Sequence, residues 1–90
     1  LKKDSTISKH FHNEYNRNIQ VTGEVLVVLE GVLKVDFFDK DQIFLKKVIV
    51  EKHETILMFG GGHGIEVSED TKFIEIKQGP FDEKLDKEHF

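Results

Sequence analysis

Residues 23–38 read GEVLVVLEGVLKVDFF, and this stretch decides the fold. Val25 to Leu29 is an unbroken apolar run, rich in β-branched side chains and too short for a helix, so it predicts a strand. Glu30-Gly31 interrupts the run. From Val32 to Phe38 apolar and polar residues alternate, which is the pattern of a strand with one buried face.

Further short runs of the same type follow, separated by glycines and by charged turns such as Asp39–Gln42. The predicted strands are Ile43–Val50, Ile56–Phe59, His63–Val67 and Thr71–Lys77. Several short strands at regular spacing, with no long helix between them, predict an all-β sandwich or barrel. In the last strand, if Ile74 and Ile76 point inward, Gln78 points inward too and Lys77 faces solvent with Glu75.

A chain of 90 residues predicts a single domain, which we place at residues 1–81. The charge-rich segment 82–90, DEKLDKEHF, is then a C-terminal extension or one short helix. A domain of this size forms only a small core. Because a second copy would bury additional apolar surface, we predict a homodimer.

Charge and composition restrict the classes of partner. The net charge is −4 with acidic and basic residues interspersed, which argues against nucleic acid, because a polyanion is bound by a basic patch. No apolar run approaches the length of a membrane span, so no membrane partner is predicted. The chain has no cysteine, which excludes disulfides and thiol catalysis and is compatible with the cytoplasmic location that we predict.

Residues 10–14, HFHNE, are the first candidate site. On a strand, His10 and His12 share a face and can offer two nitrogens to one metal ion. His63 follows the three glycines 60–62 and shares a predicted inward face with Ile65. It is either a further ligand or a buried histidine with a hydrogen-bond partner. His53 and His89 lie in charged segments and are interpreted as solvated.

Glu24 opens the run that leads to Leu29, and it alternates with Leu26 and Val28. Either this face is the interior of the fold and Glu24 enters it at the rim, or Glu24 caps an exposed strand end. A carboxylate at an apolar rim requires a cation, because an unpaired buried charge is costly.

Together these elements resemble the cupin superfamily. The pair His10-Phe11-His12, the segment from Glu24 to Gly31 and the ending Gly60-Gly61-Gly62-His63 match the family's H-x-H, E-x6-G and G-x-x-H elements in order. The resemblance covers the chain from about Ser8 to Gly79. It is similar above all to small cupins of sugar and polysaccharide biosynthesis, through IEIKQGPF at residues 74–81.

The sequence departs from the family pattern at three places. Eleven residues separate His12 from Glu24, which is longer than the family's usual spacing. Met58 and Lys52 stand where the second motif has a proline and its first glycine. Glu14 is the rival carboxylate, because residues 10, 12 and 14 share one face of an extended segment.

The resemblance implies a small double-stranded β-helix, the jelly-roll barrel of cupins. It also implies one divalent transition metal, Fe, Mn, Ni, Co or Zn, held by His10, His12, Glu24 and His63. Such an ion acts as a Lewis acid or lowers the pKa of bound water.

Tyr15 and Arg17 follow the histidine pair and are the candidate catalytic residues. Arg17 is suited to binding a carboxylate or phosphate, and Tyr15 to donating a proton or stacking on a ligand. The alternative is that both belong to a solvated loop.

Two functions follow from these residues. The first is a metal-dependent enzyme, an isomerase, epimerase or oxygenase, acting on a small carbohydrate or carbonyl substrate. The second is a non-catalytic module that binds a sugar or small acid, and it is favoured by the lack of a clear acid–base pair. A purely structural dimerising domain is the third and weakest interpretation.

Overall fold

The computed structural model of the chain describes residues 1–79, 82, 85 and 87–90, and all six of its strands lie between Gly23 and Lys77. The strands are β1 (Gly23–Glu30), β2 (Leu33–Phe38), β3 (Phe44–Val50), β4 (Thr55–Phe59), β5 (Gly62–Glu66) and β6 (Lys72–Lys77). Each strand predicted from the sequence is present, with ends shifted by a few residues at most.

The strands form two antiparallel sheets of three strands each. Sheet I has the order β4-β1-β6, and sheet II has the order β3-β2-β5. The stretch 23–38 therefore supplies both central strands, β1 for sheet I and β2 for sheet II. The predicted all-β class is confirmed at the level of a two-sheet β-sandwich; the jelly-roll barrel remains a prediction.

The core lies between the two sheets and is small. Leu26 and Val28 of β1 and Leu33 and Val35 of β2 are fully buried. Val50 and Met58 complete the group of buried hydrophobic side chains among the described residues. Burial of each such side chain contributes about 1.5–3 kcal/mol, so a core of this size leaves little reserve.

Gly31 allows the chain to pass from sheet I to sheet II directly after β1. Its φ is +82°, and a Cβ atom there would lie 2.5 Å from the Asp70 carbonyl oxygen and would also overlap the Thr71 hydroxyl. That hydroxyl accepts a hydrogen bond from the Val32 N–H (3.2 Å) and donates one to the Glu69 carbonyl (3.0 Å). The corner is therefore packed against the segment that leads into β6.

The hairpin predicted at residues 39–42 is also present. The Asp39 carboxylate accepts hydrogen bonds from the N–H groups of Asp41 (2.9 Å) and Ile43 (3.0 Å). The Asp39 N–H donates to the Ile43 carbonyl, and Gln42 adopts a φ of 66°. Side-chain bonding of this kind is why aspartate is favoured at turns.

Two conditions on which the sequence interpretation depended are not met. Residues 1–22 contain no strand and are exposed almost throughout, so His10 and His12 do not lie on a sheet. This segment is polar and has no partner strand. In β6, Ile74 and Ile76 face outward, being 46% and 57% exposed, whereas Lys77 faces inward. The short helix considered for residues 82–90 falls in a segment that includes positions outside the described residues.

Gly31→Ala should lower the free energy of unfolding by about 2 kcal/mol or more, because the positive φ is strained for alanine and the added methyl meets backbone. Chemical denaturation of the two proteins measures the difference. Gly64→Ala is the matched control, since a Cβ atom at Gly64 meets nothing within 4 Å. Equal destabilisation by both substitutions would contradict this account of the corner.

Candidate functional site

Glu24 is the one buried charged residue among those the structure describes, with 9% of its surface exposed. Its position follows from strand alternation, because Glu24, Leu26 and Val28 share the inner face of β1. Glu24 is the first of the three and therefore lies at the end of the sandwich. Of the two alternatives for this residue, entry into the interior at the rim is confirmed.

The Glu24 carboxylate is held between side chains from the two sheets. One oxygen, Oε2, lies 3.4 Å from Nε2 of His63 on β5, and the other, Oε1, lies 3.7 Å from Nζ of Lys77 on β6. The Lys77 ammonium also lies 3.3 Å from the Glu75 carboxylate. A buried carboxylate is tolerated only where such partners compensate for its lost hydration, so this cluster joins the sheets at one end of the core.

His63 lies on the inward side of β5, as its alternation with Ile65 predicts. It lies opposite Phe37 in the register between β5 and β2, and 30% of its side chain is exposed. Gly60 and Gly61 precede it with φ values of 66° and 67° and carry the chain from β4 to β5. The turn thus sets a half-exposed imidazole against a buried carboxylate.

His10 and His12 form a separate pair on the exposed N-terminal segment. Their ring centroids lie 5.1 Å apart in an edge-to-face arrangement, and His10 Nδ1 donates a hydrogen bond to the Ser8 carbonyl (2.9 Å). Both side chains are exposed.

The predicted metal ligands therefore form two pairs rather than one cluster. Within the described part of the chain, which includes all four ligands and Glu14, no three His, Asp or Glu side chains are grouped so that they could hold a metal ion. The residues as arranged do not fit the site that the cupin resemblance implies. The transition metal and its ligand set remain a prediction.

Tyr15 and Arg17, the candidate catalytic residues, contact each other. The Arg17 guanidinium carbon lies 3.9 Å from the centroid of the Tyr15 ring, a cation–π geometry. Tyr15 is 65% exposed. The contact places the two side chains on one short loop segment, with the guanidinium held over the ring.

Arg17 also lines a groove of about 380 Å³ at the same end of the sandwich as Glu24. The other lining residues are Ile19, Gln20, Val21, Thr22, Gln78 and Gly79. The groove is anchored to sheet I, because the Gln78 N–H donates to the Gly23 carbonyl (2.9 Å) beside Glu24. It combines one guanidinium, amide and hydroxyl groups and two aliphatic side chains.

A second groove of about 520 Å³ lies beside β2 and β5. Its lining includes Asp36, His63, Glu88 and His89, together with Phe90, whose ring stacks edge-to-face on Phe38 at 5.2 Å. It differs from the Arg17 groove in carrying two carboxylates.

Sequence reasoning missed Lys77 and Gln78 as site residues. The strand TKFIEIK has isoleucines at 74 and 76, and alternation assigns Lys77 to solvent if these isoleucines point inward. The register reverses this assignment, because Lys77 lies opposite the buried Glu24. One signal in the sequence could have identified Lys77. The Glu24 carboxylate was expected at an apolar rim, where it requires a cation from a neighbouring strand.

Comparisons with models of protein families, with curated proteins and with solved structures find no match to this chain. The cupin resemblance is neither supported nor contradicted by them. Among the described residues, no helix is long and apolar enough to cross a membrane.

Lys77→Met should lower the free energy of unfolding by about 1–3 kcal/mol, because it removes a compensating charge beside the buried Glu24 carboxylate and keeps the aliphatic stem. Denaturant titration at neutral pH is the measurement. Lys72→Met serves as the control, since Lys72 is an exposed residue of the same strand. If both variants are equally stable, the Lys77 ammonium does not compensate for the burial of Glu24.

Proposed function

We propose that the chain is a binding module for a small anionic, hydroxylated molecule such as a sugar acid, and that the ligand occupies the groove lined by Arg17. The observation that carries the proposal is the chemistry of this groove. Arg17 contributes a guanidinium, and none of the described residues that line the groove with it carries a carboxylate. A guanidinium can bind a carboxylate or phosphate through two parallel hydrogen bonds.

The size and the remaining lining support the same class of ligand. A volume of about 380 Å³ suits a molecule of one sugar ring, since small-molecule sites begin at roughly 300 Å³. Gln20, Thr22 and Gln78 carry the amide and hydroxyl groups that hydrogen-bond to sugar hydroxyls. Ile19 and Val21 offer apolar surface to the C–H groups of a ring.

Electrostatics favours this groove over the one beside β5. The β5 groove is lined by Asp36 and Glu88, whose negative charges disfavour an anion. The chain carries a net charge of −4, so an anionic ligand needs a local cation. Arg17 supplies this cation, and its stacking on Tyr15 restricts the guanidinium before a ligand arrives. The Arg17 side chain therefore loses less conformational entropy when the ligand binds.

Titration of the isotopically labelled protein with glucuronate should shift the amide resonances of residues 19–22 and of Gln78 and Gly79. Arg17→Ala should weaken this binding about tenfold or more, because a hydrogen bond to a charged group contributes roughly 1.5–3 kcal/mol. Glucose, which has hydroxyls but no carboxylate, should bind more weakly than glucuronate.

Lys9→Ala is the control for net charge, because it removes a cation from the same N-terminal segment outside the groove. Unchanged affinity in Arg17→Ala, or shifts that map to the β5 groove, would contradict the proposal. Absence of shifts with glucuronate, gluconate and glucose 6-phosphate would contradict the whole ligand class.

A metal-dependent enzyme is the second candidate, favoured by the 3.4 Å contact of His63 with Glu24 and by the adjacent rings of His10 and His12. One ion would contact both pairs only if the N-terminal segment were rearranged. We derive no catalytic step from the arrangement described here.

Elemental analysis of the purified protein tests this second candidate. It predicts about one transition metal ion per chain, lost in His63→Ala and in His12→Ala. His53→Asn is the control, because His53 has a φ of 69° that asparagine adopts readily. Wild-type protein that stays free of metal after incubation with Mn, Fe, Co, Ni or Zn salts would exclude this candidate.

A further inference from the structure

The outer face of sheet I is apolar across all three of its strands. Val25 and Val27 of β1 lie in the middle of this face and are half-buried. The register places Val25 beside Leu57 and Ile76, and Val27 beside Ile74. Phe59 extends the face beyond Leu57. The large exposed members are Leu57 (59%), Phe59 (68%), Ile74 (46%) and Ile76 (57%).

Sheet II shows what a solvated outer face looks like in this protein. Its outward positions include the charged residues Lys34, Asp36, Lys47 and Glu66, with Ile49 beside Lys34. The Lys47 ammonium lies 2.6 Å from the Glu66 carboxylate and 3.7 Å from that of Asp36. The hydrogen bond from Lys47 lowers the pKa of Glu66, and the same bond raises the pKa of Lys47. An antiparallel sheet with one solvated face normally alternates in this way, apolar inward and polar outward.

Sheet I inverts this alternation on its edge strand β6. Ile74 and Ile76 point away from the core, and Glu75 and Lys77 occupy the inward positions near Glu24. Placing two isoleucines in water while two charges point inward is unfavourable in an isolated chain. The arrangement is favourable if a second surface covers the isoleucines, so the inversion indicates a covered face.

We propose that the outer face of sheet I is a homodimer interface, in which two copies of this chain pack face to face about a two-fold axis. Sheets pack in this manner at a separation of about 10 Å with their side chains interdigitating. The interface is independent of the proposed ligand groove and does not rest on it.

The absence of charge from the centre of the face favours a second copy over a partner of different chemistry. The chain has a net charge of −4, so two copies repel each other unless their contact surfaces are uncharged. The outward positions Thr55, Leu57, Phe59, Val25, Val27, Ile74 and Ile76 carry no charge, and Lys72, on the same side of β6, lies at the end of the face. Depletion of charged residues in the centre is typical of homodimer interfaces, and a two-fold contact requires a self-complementary surface.

The area of the face is in the range that a dimer needs. Four large side chains, each about half exposed, offer roughly 400 Å² of apolar surface, at the upper end of what monomers usually expose. The central valines and the rim of the sheet add to this area. Together they approach the roughly 800 Å² of surface that each partner contributes to a stable interface. Residues 1–22 do not cover the face, because the four side chains are exposed with this segment in place.

Sedimentation velocity across a concentration series tests the proposal with the full chain. We expect wild-type protein to be a dimer and Ile74→Glu to be a monomer, with a dissociation constant raised at least about a hundredfold by the buried unpaired charge. Ile49→Glu is a closely matched control. Ile49 is 47% exposed and Ile74 is 46% exposed, both lie on edge strands, and Ile49 belongs to sheet II.

A monomeric wild-type protein at every concentration would overturn the proposal. So would dissociation by Ile49→Glu with Ile74→Glu still dimeric, which would assign the interface to sheet II.

A second measurement does not depend on the folding of a charged variant. The chain has no cysteine, so Leu57→Cys introduces a single thiol on the proposed interface. A spin label attached there should report a distance between two labels shorter than about 30 Å, since the two sheets are separated by about 10 Å. A label at Ile49→Cys should report a much longer distance, across the thickness of both sandwiches. A short distance for Ile49→Cys together with a long one for Leu57→Cys would overturn the proposal.

Discussion

The rest of the structure depends on one constraint: the two central strands are consecutive in the chain and belong to opposite sheets. The chain must leave sheet I at Glu30 and enter sheet II at Leu33, so only Gly31 and Val32 remain to make the corner. The corner requires a positive φ and no side chain at Gly31. β1 and β2 each pair with a strand on either side. The corner that positions β1 relative to β2 therefore also positions the other four strands.

The same constraint creates the charged cluster at the end of the sandwich. Leu26 and Val28 lie on the buried face of β1, and Glu24 lies on the same face because side chains alternate along a strand. Glu24 is therefore buried at the edge of the apolar core. Partners for that carboxylate come from the outer strands of both sheets, His63 from β5 and Lys77 from β6. The cluster and the groove of Arg17 therefore share one end of the molecule, where the backbone of residues 23–24 is paired with that of residues 77–78.

The two sheets differ in the polarity of their outer faces. Sheet II places a network of Lys47 with two carboxylates on its outer side, whereas sheet I places valines, isoleucines, a leucine and a phenylalanine there. The described residues leave these side chains of sheet I exposed, and the symmetric second copy that we propose would cover them as a further layer.

The sequence by itself determined the strands and much of the core. Runs such as VLVVL and VLKVDFF have a period that only a strand satisfies, and Gly31 and Asp39–Gln42 are local signals for a corner and a turn. Alternation with Ile65 also predicted the inward position of His63, and it left two alternatives for Glu24, of which burial in the structure selects the inner one. Whether His10 and His12 lie near Glu24 and His63 depends on how distant parts of the chain pack together. Spacing along the sequence does not determine this packing. The facing of β6 was likewise decided by tertiary structure: alternation shows which residues share a face, but only pairing with β1 shows which face is inside.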